Sequence, residues 1–138
     1  MTQGQSKVAV VQALFAEFAR RENKLAFEVF DDEVVFDARG IPGPAEVQAV
    51  YHGHDGVRRY WRQWLDAWEK VTIVDGPHYE ANGNQVVCSW RQRNRGKRSG
   101  AEVDMDVAAV WTFLGDRIVH LASFASREDA RAAAGLAD

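Results

Sequence analysis

The sequence predicts an α+β fold, in which a curved antiparallel sheet wraps around a long helix. Three observations carry this prediction. Helix-compatible periodicity, with one early strand, fills the first half of the 138-residue chain. Alternation with a period of two, punctuated by turns, follows Lys70. The first half ends in an amphipathic helix whose apolar face is unusually aromatic.

The N-terminal half is predicted to hold three helices and a strand. Residues 7–22 form the first helix because their apolar residues share one face, and a short second helix covers residues 25–30. The strand at residues 33–37 ends at a Gly/Pro-rich loop. The long helix begins near residues 53–55. Its apolar stripe consists of Val57, Tyr60, Trp61, Trp64, Leu65 and Trp68.

The C-terminal half is predicted to be a series of strands followed by a helix. A Gly-Asp turn precedes the last strand and marks a hairpin. Ser126 begins the final helix through a Ser-x-x-Asp capping box, and Gly135 ends it. The predicted strands are, in chain order, residues 71–74, 78–81, 85–95, 102–113 and 117–125.

Composition and charge restrict the classes of function. Hydrophobic residues make up 46% and charged residues 27% of the chain, a balance typical of soluble globular proteins. The net charge of −3 argues against nucleic acid as a partner, and the lack of an 18-residue apolar run argues against a membrane span. With one cysteine and no signal-like N-terminus, we expect a single cytoplasmic domain over residues 1–138.

Five segments carry a family resemblance: FDDEVVFD, YHGHDGVRRYWRQWL, RGKRSGAEVDM, AAVWTFLGDRIVHL and EDARAAAGL. Together they resemble the SnoaL-like polyketide cyclase group of the nuclear-transport-factor-2-like superfamily over nearly the whole chain. The resemblance implies that the sheet forms a cone-shaped barrel with a central pocket for a small-molecule ligand. It also implies a homodimer, with Asp104 and Asp106 on the face turned to the partner and Val110 and Phe124 joining that contact.

The chain also resembles ketosteroid isomerase, another branch of the same fold. Asp37 falls at the position of that enzyme's general base. The two donors of its oxyanion hole correspond here to Phe15 and Ala109, whose side chains cannot donate a hydrogen bond. Because losing one such donor costs on the order of 3 kcal/mol, we do not expect steroid isomerisation.

Asp37 is the predicted catalytic group. Strand parity places it on one face with Val35. If that face looks into the pocket, desolvation raises the pKa of the carboxylate towards useful base strength. The alternative is a structural carboxylate paired with Arg39 or another arginine. His52, just before the long helix, is the second candidate, as a hydrogen bonder to a pocket ligand rather than a metal ligand.

The predicted substrate-binding residues come from the long helix and the second long strand. On the helix, Tyr60 and Trp61 are expected to meet a ligand, whereas Trp64 and Leu65 serve the core. On the strand, the resemblance turns one face towards the pocket. That face carries Met105, Val107, Ala109 and Trp111.

The first long strand allows two alternatives, because a one-residue shift in the hairpin decides which face looks inward. One alternative puts Cys88, Trp90 and Gln92 in the cavity and gives an apolar pocket with one amide. The other puts Ser89, Arg91 and Arg93 there and gives a cationic pocket suited to carboxylates. We favour the first, and hence Trp90 and Gln92 as binding residues, because tryptophan prefers burial.

Three hypotheses for function follow. The leading one is a cofactor-independent acid/base enzyme, isomerase- or cyclase-like, acting on a small apolar or aromatic carbonyl compound. Asp37 would move a proton, and His52, Gln92 or Arg91 would polarise the oxygen. The second is a non-catalytic ligand-binding protein. The third is a dimeric interaction module with a self-filled cone and no cavity of roughly 300 Å³ or more. No nucleotide, flavin or metal is expected.

Overall fold

A computed structural model describes residues 3–41 and 45–136 and confirms the α+β class. Within these residues the sheet has six strands, is curved and does not close into a barrel. The helices are α1 (Gln3–Ala19), α2 (Ala26–Val29), α3 (Gly53–Ala67) and α4 (Arg127–Ala133), with a 3-10 turn at Ala45–Val47. The strands are β1 (Phe30–Asp37), β2 (Val50–His52), β3 (Trp68–Asn82), β4 (Gln85–Gly96), β5 (Glu102–Leu114) and β6 (Arg117–Phe124). None of the described helices is long and apolar enough to cross a bilayer.

The sheet is mixed rather than wholly antiparallel. Its strand order is β2-β1-β6-β5-β4-β3, and all neighbours pair antiparallel except β1 and β6. The strands β3 to β6 follow one another as hairpins. β1 precedes them, and the chain passes through β2, α3 and the strands β3 to β5 before β6 pairs parallel with β1. Parallel neighbours need a long connection between them.

Two helices cover the concave face of the sheet, where the sequence predicts one. α3 packs against β1 and β2, and α1 packs against β3 and β4. The aromatic stripe of α3 turns inward as its spacing predicts, and Tyr60, Trp64 and Trp68 are buried. The core therefore lies between this pair of helices and the sheet.

Two local features differ from the prediction. β3 runs as one strand through Asp75, Gly76 and Pro77, where the sequence predicts a break. Shifts in its register with β4 absorb these residues, as bulges do. β2 is missing from the prediction because three residues are too few to show alternation. It pairs along the edge of β1.

α4 covers part of the outer face of the sheet. The Ser126 hydroxyl accepts a hydrogen bond from the backbone N–H of Asp129 at 3.1 Å, which confirms the predicted cap. Gly135 ends the helical segment at a φ of +79°, a conformation that favours glycine. A two-pronged ion pair ties Arg131 to Glu80 of β3, with N···O distances of 2.9 and 3.3 Å.

The outer face is less available to a partner than the resemblance implies. Val110 is 4% exposed because Ala130 of α4 packs over it together with Val87 and Ala108. Phe124 packs against the same cluster. The expected role of Val110 in a dimer contact is therefore wrong, since a helix of the same chain already covers it. The role of Phe124, which is only partly buried, stays a prediction.

Candidate functional site

A cavity of about 130 Å³ lies between the two helices and the concave face of the sheet. Its walls are overwhelmingly apolar and rich in aromatic rings. The first half of the chain contributes Leu14, Phe15, Phe18, Glu22, Asn23, Phe30, Phe36, Ile41, Val57, Tyr60, Trp61 and Trp64. The strands β4 to β6 contribute Trp90, Gln92, Val107, Ala109, Trp111, Leu121 and Ser123.

The inward face of β4 is the one that carries Trp90 and Gln92. Trp90 lies opposite Val107 and Gln92 opposite Met105 in the pairing of β4 with β5. Trp90 and Gln92 both line the cavity. The inward face is therefore that of the first alternative, which holds for Trp90 and Gln92, whereas Cys88 is buried on this face without lining the cavity. The wall of this strand is apolar with one amide.

The arginines of β4 point to the outer face and pair across to β5. Arg91 bonds Asp106 at 3.0 Å, and Arg93 bonds Asp104 at 2.7 Å. Charged groups keep their hydration on this side, which avoids the cost of burying them in an apolar cavity. The alternative of a cationic pocket is therefore wrong, and Arg91 cannot polarise a ligand in the cavity.

On α3, Tyr60 and Trp61 line the cavity where the sequence places them. Trp64, predicted to serve the core, is buried and lines the cavity as well. Leu65 is half-buried and lies outside the wall.

On β5, Val107, Ala109 and Trp111 line the cavity, but Met105 does not. Met105 is buried nearer the hairpin tip, where its sulfur accepts a weak hydrogen bond from Asn94 Nδ2 at 3.8 Å. The predicted contact of Met105 with a ligand is wrong, because its side chain is buried against Asn94 and does not line the cavity.

Asp37 lies outside the cavity, so the expectation that its face looks inward is wrong. Val34 and Phe36 form the buried face of β1, and Asp37 alternates with them. Its carboxylate accepts hydrogen bonds from Arg39 Nε at 2.9 Å, from Nη2 at 2.7 Å and from the backbone N–H at 3.1 Å. The hydrogen bonds from the Arg39 side chain lower the pKa of Asp37, and desolvation raises it by less. The net pKa is lowered, so the carboxylate is a weaker base.

His52 also lies away from the cavity. It ends β2, precedes the first turn of α3 and is exposed. His54, two residues later, bonds the Phe30 carbonyl through Nε2 at 2.9 Å and packs edge-on against Phe27. Both histidines thus belong to the entry of α3. Within residues 3–41 and 45–136, no three His, Cys, Asp or Glu side chains group together as metal ligands would.

A chain of buried polar side chains lies beneath one wall of the cavity. Trp90 Nε1 donates to Gln92 Oε1 at 2.6 Å. Gln92 Nε2 donates to Asn94 Oδ1 at 2.9 Å. Gln92 is 1% and Asn94 0% exposed, so each needs these partners to offset its desolvation. The chain fixes the Trp90 indole against the wall, where Phe15 packs on it edge-on with centroids 4.8 Å apart.

Two hydroxyl groups of the wall behave differently. Tyr60 is 8% and Ser123 7% exposed, and neither hydroxyl bonds to any residue that the structure describes. Burial, with a smaller contribution from Tyr51, raises the pKa of Tyr60. Its phenol therefore stays protonated and able to donate near neutral pH.

Several wall residues were not anticipated from the sequence. Phe36 is one, and the higher burial preference of Val34 and Phe36 over Val35 and Asp37 was the signal for it. Ile41 is another. Gly40 brings it to the cavity, because a Cβ at position 40 would collide with the Ser123 carbonyl of β6. No local pattern encodes this close approach.

Comparison with known proteins identifies a family and solved structures of the same fold. The SnoaL-like domain family matches residues 11–121, and no curated protein matches significantly. An NTF2-like protein from Burkholderia xenovorans LB400 is 19% identical, with a TM-score of 0.77 over 97% of this chain and 98% of that chain. A candidate SnoaL-like polyketide cyclase from Jannaschia sp. CCS1 is 13% identical, with a TM-score of 0.73 over 90% and 88%.

TerC, co-crystallised with polyporic acid, is 14% identical, with a TM-score of 0.70 over 86% of this chain and 90% of that chain. At these identities the solved structures show a shared fold. The family match covers most of the chain, and the six-stranded curved sheet with helices on its concave face agrees with it. The chain belongs to the SnoaL-like domain family.

Proposed function

We propose that this protein binds a small, largely apolar ring compound in the cavity between α1, α3 and the sheet. The observation that carries the proposal is the cavity itself, with aromatic walls and a volume of about 130 Å³. An apolar cavity of roughly 150 Å³ holds a benzene-sized molecule. Aromatic rings such as Phe15, Trp61 and Trp90 favour a ring as occupant, through edge-on and offset contacts.

The cavity size also sets an upper limit on the occupant. Pockets for drug-sized ligands have roughly 300 Å³ or more, and about 130 Å³ falls short of this. Side chains therefore fill most of the space between the helices and the sheet, as the interaction-module hypothesis requires, but they leave room for one ring. A fused polycyclic ligand would have to displace wall side chains.

Binding without catalysis is the form of the proposal with the better support. Both predicted catalytic residues, Asp37 and His52, lie outside the walls, and the one carboxylate among the described wall residues is Glu22, which bonds Arg20 at 3.2 Å. A catalytic role for Asp37 stays a prediction. It requires that Asp37→Asn abolishes turnover of a compound that the wild-type protein converts.

The relatives lend support at the level of chemistry class. TerC was crystallised with polyporic acid, and the Jannaschia protein is described as SnoaL-like and polyketide cyclase-like. At least one protein with this fold has thus been crystallised with a small molecule. The homodimer also stays a prediction, which light scattering on the purified protein checks.

The test is a thermal-shift and calorimetric titration with toluene, acetophenone and a fused tetracyclic compound. The two monocyclic compounds should raise the melting temperature by mass action, and the tetracyclic compound should not. Ala109→Leu fills the cavity from β5 and should abolish both shifts. Ala81→Leu adds the same atoms at an exposed site on β3 and should leave them unchanged. Binding that survives Ala109→Leu would contradict the proposed site.

A further inference from the structure

We propose that the Tyr60 hydroxyl is the hydrogen-bond donor that selects ring compounds bearing a carbonyl oxygen over hydrocarbons of the same shape. This inference rests on the proposed function, because it names the chemistry of the ligand for the same cavity. It concerns α3, and it uses neither of the residues that the sequence predicted to be catalytic.

The ring of Tyr60 is held on three sides, which fixes the direction of its hydroxyl. Phe36 packs edge-on with ring centroids 4.6 Å apart, and Tyr51 packs edge-on at 5.4 Å. Trp64, one helical turn later, stacks on it at 6.1 Å with an interplanar angle of 23°. A donor on a ring held this firmly is pre-organised, so ligand binding costs little conformational entropy at this side chain.

The Tyr60 hydroxyl has no partner among the described residues, whereas its neighbour Tyr51 is fully engaged. The Tyr51 hydroxyl donates to Gln63 Oε1 at 2.6 Å and lies 3.2 Å from the Val47 carbonyl. Trp68 Nε1 is the one completely enclosed side-chain N or O atom that lacks a partner in the described part of the chain. The Tyr60 hydroxyl is therefore not sealed into the core, and the space that its ring lines is the cavity.

The two indole donors that the strands contribute to the wall are already paired. Trp90 Nε1 donates to Gln92 at 2.6 Å. Trp111 Nε1 donates to the Cys88 sulfur at 3.2 Å. These donors would have to break an existing bond before they could serve a ligand, and a buried donor left unpaired costs about 1–3 kcal/mol.

Other wall side chains without a described hydrogen bond are Asn23, Trp61, Trp64 and Ser123. Asn23 is half-buried in the loop after α1, where water can serve it. A phenol is more acidic than an alcohol or an indole N–H and forms the stronger bond to a carbonyl oxygen. Among these donors, Tyr60 therefore forms the strongest hydrogen bond with an acceptor in the cavity.

The same surroundings define which acceptors fit. Burial raises the pKa of Tyr60, so the group donates a proton in a hydrogen bond and does not act as an anion. A ketone, aldehyde or ester oxygen satisfies it without bringing charge into the apolar cavity. A carboxylate would lose its hydration there without a cation to compensate. The geometry thus selects neutral carbonyl compounds.

The experiment compares acetophenone with α-methylstyrene, in which a CH₂ group replaces the carbonyl oxygen. Calorimetry should show that the wild-type protein prefers acetophenone. Tyr60→Phe keeps the ring and removes the hydroxyl, so the affinity for acetophenone should fall by about tenfold, the equivalent of one net hydrogen bond. The affinity for α-methylstyrene should stay the same. Tyr79→Phe is the matched control, since it removes the hydroxyl of a half-buried tyrosine on β3 that does not line the cavity, and it should change neither affinity. Ser123→Ala removes the other buried hydroxyl of the wall and tests it as a rival donor.

The outcomes separate the two proposals. If neither compound binds the wild-type protein, the proposed function fails and the role of Tyr60 fails with it. If both bind and Tyr60→Phe changes both affinities equally or neither, only the role of Tyr60 is overturned. A loss of acetophenone binding in Ser123→Ala alone would assign the donor to Ser123 instead.

A second measurement covers the case in which Tyr60→Phe does not fold. The carbonyl ¹³C resonance of acetophenone bound to the wild-type protein should lie downfield of its position in hexane, because a donated hydrogen bond polarises the carbonyl. A bound resonance at the hexane position would overturn the proposal without any variant.

Discussion

The two faces of the β4–β5 hairpin differ sharply in their side chains. The inner face carries Trp90, Gln92 and Trp111, which are packed against the helices or the cavity. The outer face carries a ladder of cross-strand ion pairs, such as Arg91 with Asp106. Both faces are built from the same two strands in a single register.

Because of this difference, a residue and its immediate neighbour on these strands contribute to the stability of the fold in different ways. The inner residues stabilise the fold by burial, which is large and insensitive to salt. The outer pairs are largely exposed, so solvent and salt screen them. Substitutions at adjacent positions should therefore differ in size, in salt dependence and in their effect on a ligand.

The largest effect is expected from Trp111→Ala. Removing this buried indole should lower the free energy of unfolding by about 3–5 kcal/mol, because it deletes core contacts and leaves a void. Leu114, three residues later, is 74% exposed, and Leu114→Ala should change stability by no more than about 0.5 kcal/mol. Urea denaturation of both variants measures the contrast, and similar losses would show that the two faces are energetically alike.

The second effect concerns Cys88, whose thiol lies on the inner face. Burial raises the pKa of this thiol from 9.0 to about 12, so its thiolate fraction near neutral pH is about a thousandfold smaller than that of an ordinary thiol. Alkylation by iodoacetamide should be slower by at least that factor than for Ser89→Cys in a Cys88→Ala background, which puts a thiol on the outer face. Comparable rates would contradict the burial of Cys88.

The same shift predicts a direction for alkaline stability. An unfolded Cys88 releases its proton near pH 9, but the folded protein holds it to about pH 12. Between these values the unfolded chain binds fewer protons, so the free energy of unfolding should fall as the pH rises from about 9, and it is retained in full below that. Cys88→Ala should flatten this part of the pH profile.

A smaller effect is expected from Gln92→Met. It leaves Trp90 Nε1 and Asn94 Oδ1 without their partners, and the free energy of unfolding should fall by about 1–3 kcal/mol. Arg91→Met at the adjacent outer position loses only an exposed pair and should cost less than about 1 kcal/mol. Equal costs in chemical denaturation would mean that the buried chain of amides contributes nothing.

The smallest effect is expected from Asp106→Asn. The loss of its pair with Arg91 should lower the free energy of unfolding by less than about 1 kcal/mol at low salt. At about 1 M NaCl the difference from the wild-type protein should disappear, because the Debye length is then near 3 Å. A difference that persists at high salt would point to packing rather than charge.

Local patterns were enough to predict the regular elements. The stripe of α3 and the long strands β4 and β5 follow from spacing alone, and the resemblance supplied their arrangement. The segment FDDEVVFD was ambiguous, because Val34 with Phe36 and Val35 with Asp37 make equally regular alternations. The prediction took the face with Val35 and Asp37 as the inward one, which placed Asp37 in the pocket. In the structure the face with Val34 and Phe36 is buried instead.

The cavity itself was beyond local patterns. Its residues come from α1, the loop after it, β1, α3 and three further strands, so its size depends on how these pack. Whether Tyr60 would find a partner depended on Tyr51, Gln63 and the tilt of α3. Sequence spacing could name Tyr60 as a wall residue but could not show that its hydroxyl stays unpaired.

The parallel pairing of β1 with β6 has a kinetic consequence. The paired residues are separated by about 85 positions along the chain, and contacts this distant form late because loop closure must precede them. The cavity needs both strands, since Phe36 lies on one and Leu121 on the other. A ring compound can therefore recognise the chain only after the folding barrier has been crossed, and its binding should slow unfolding while leaving the folding rate unchanged.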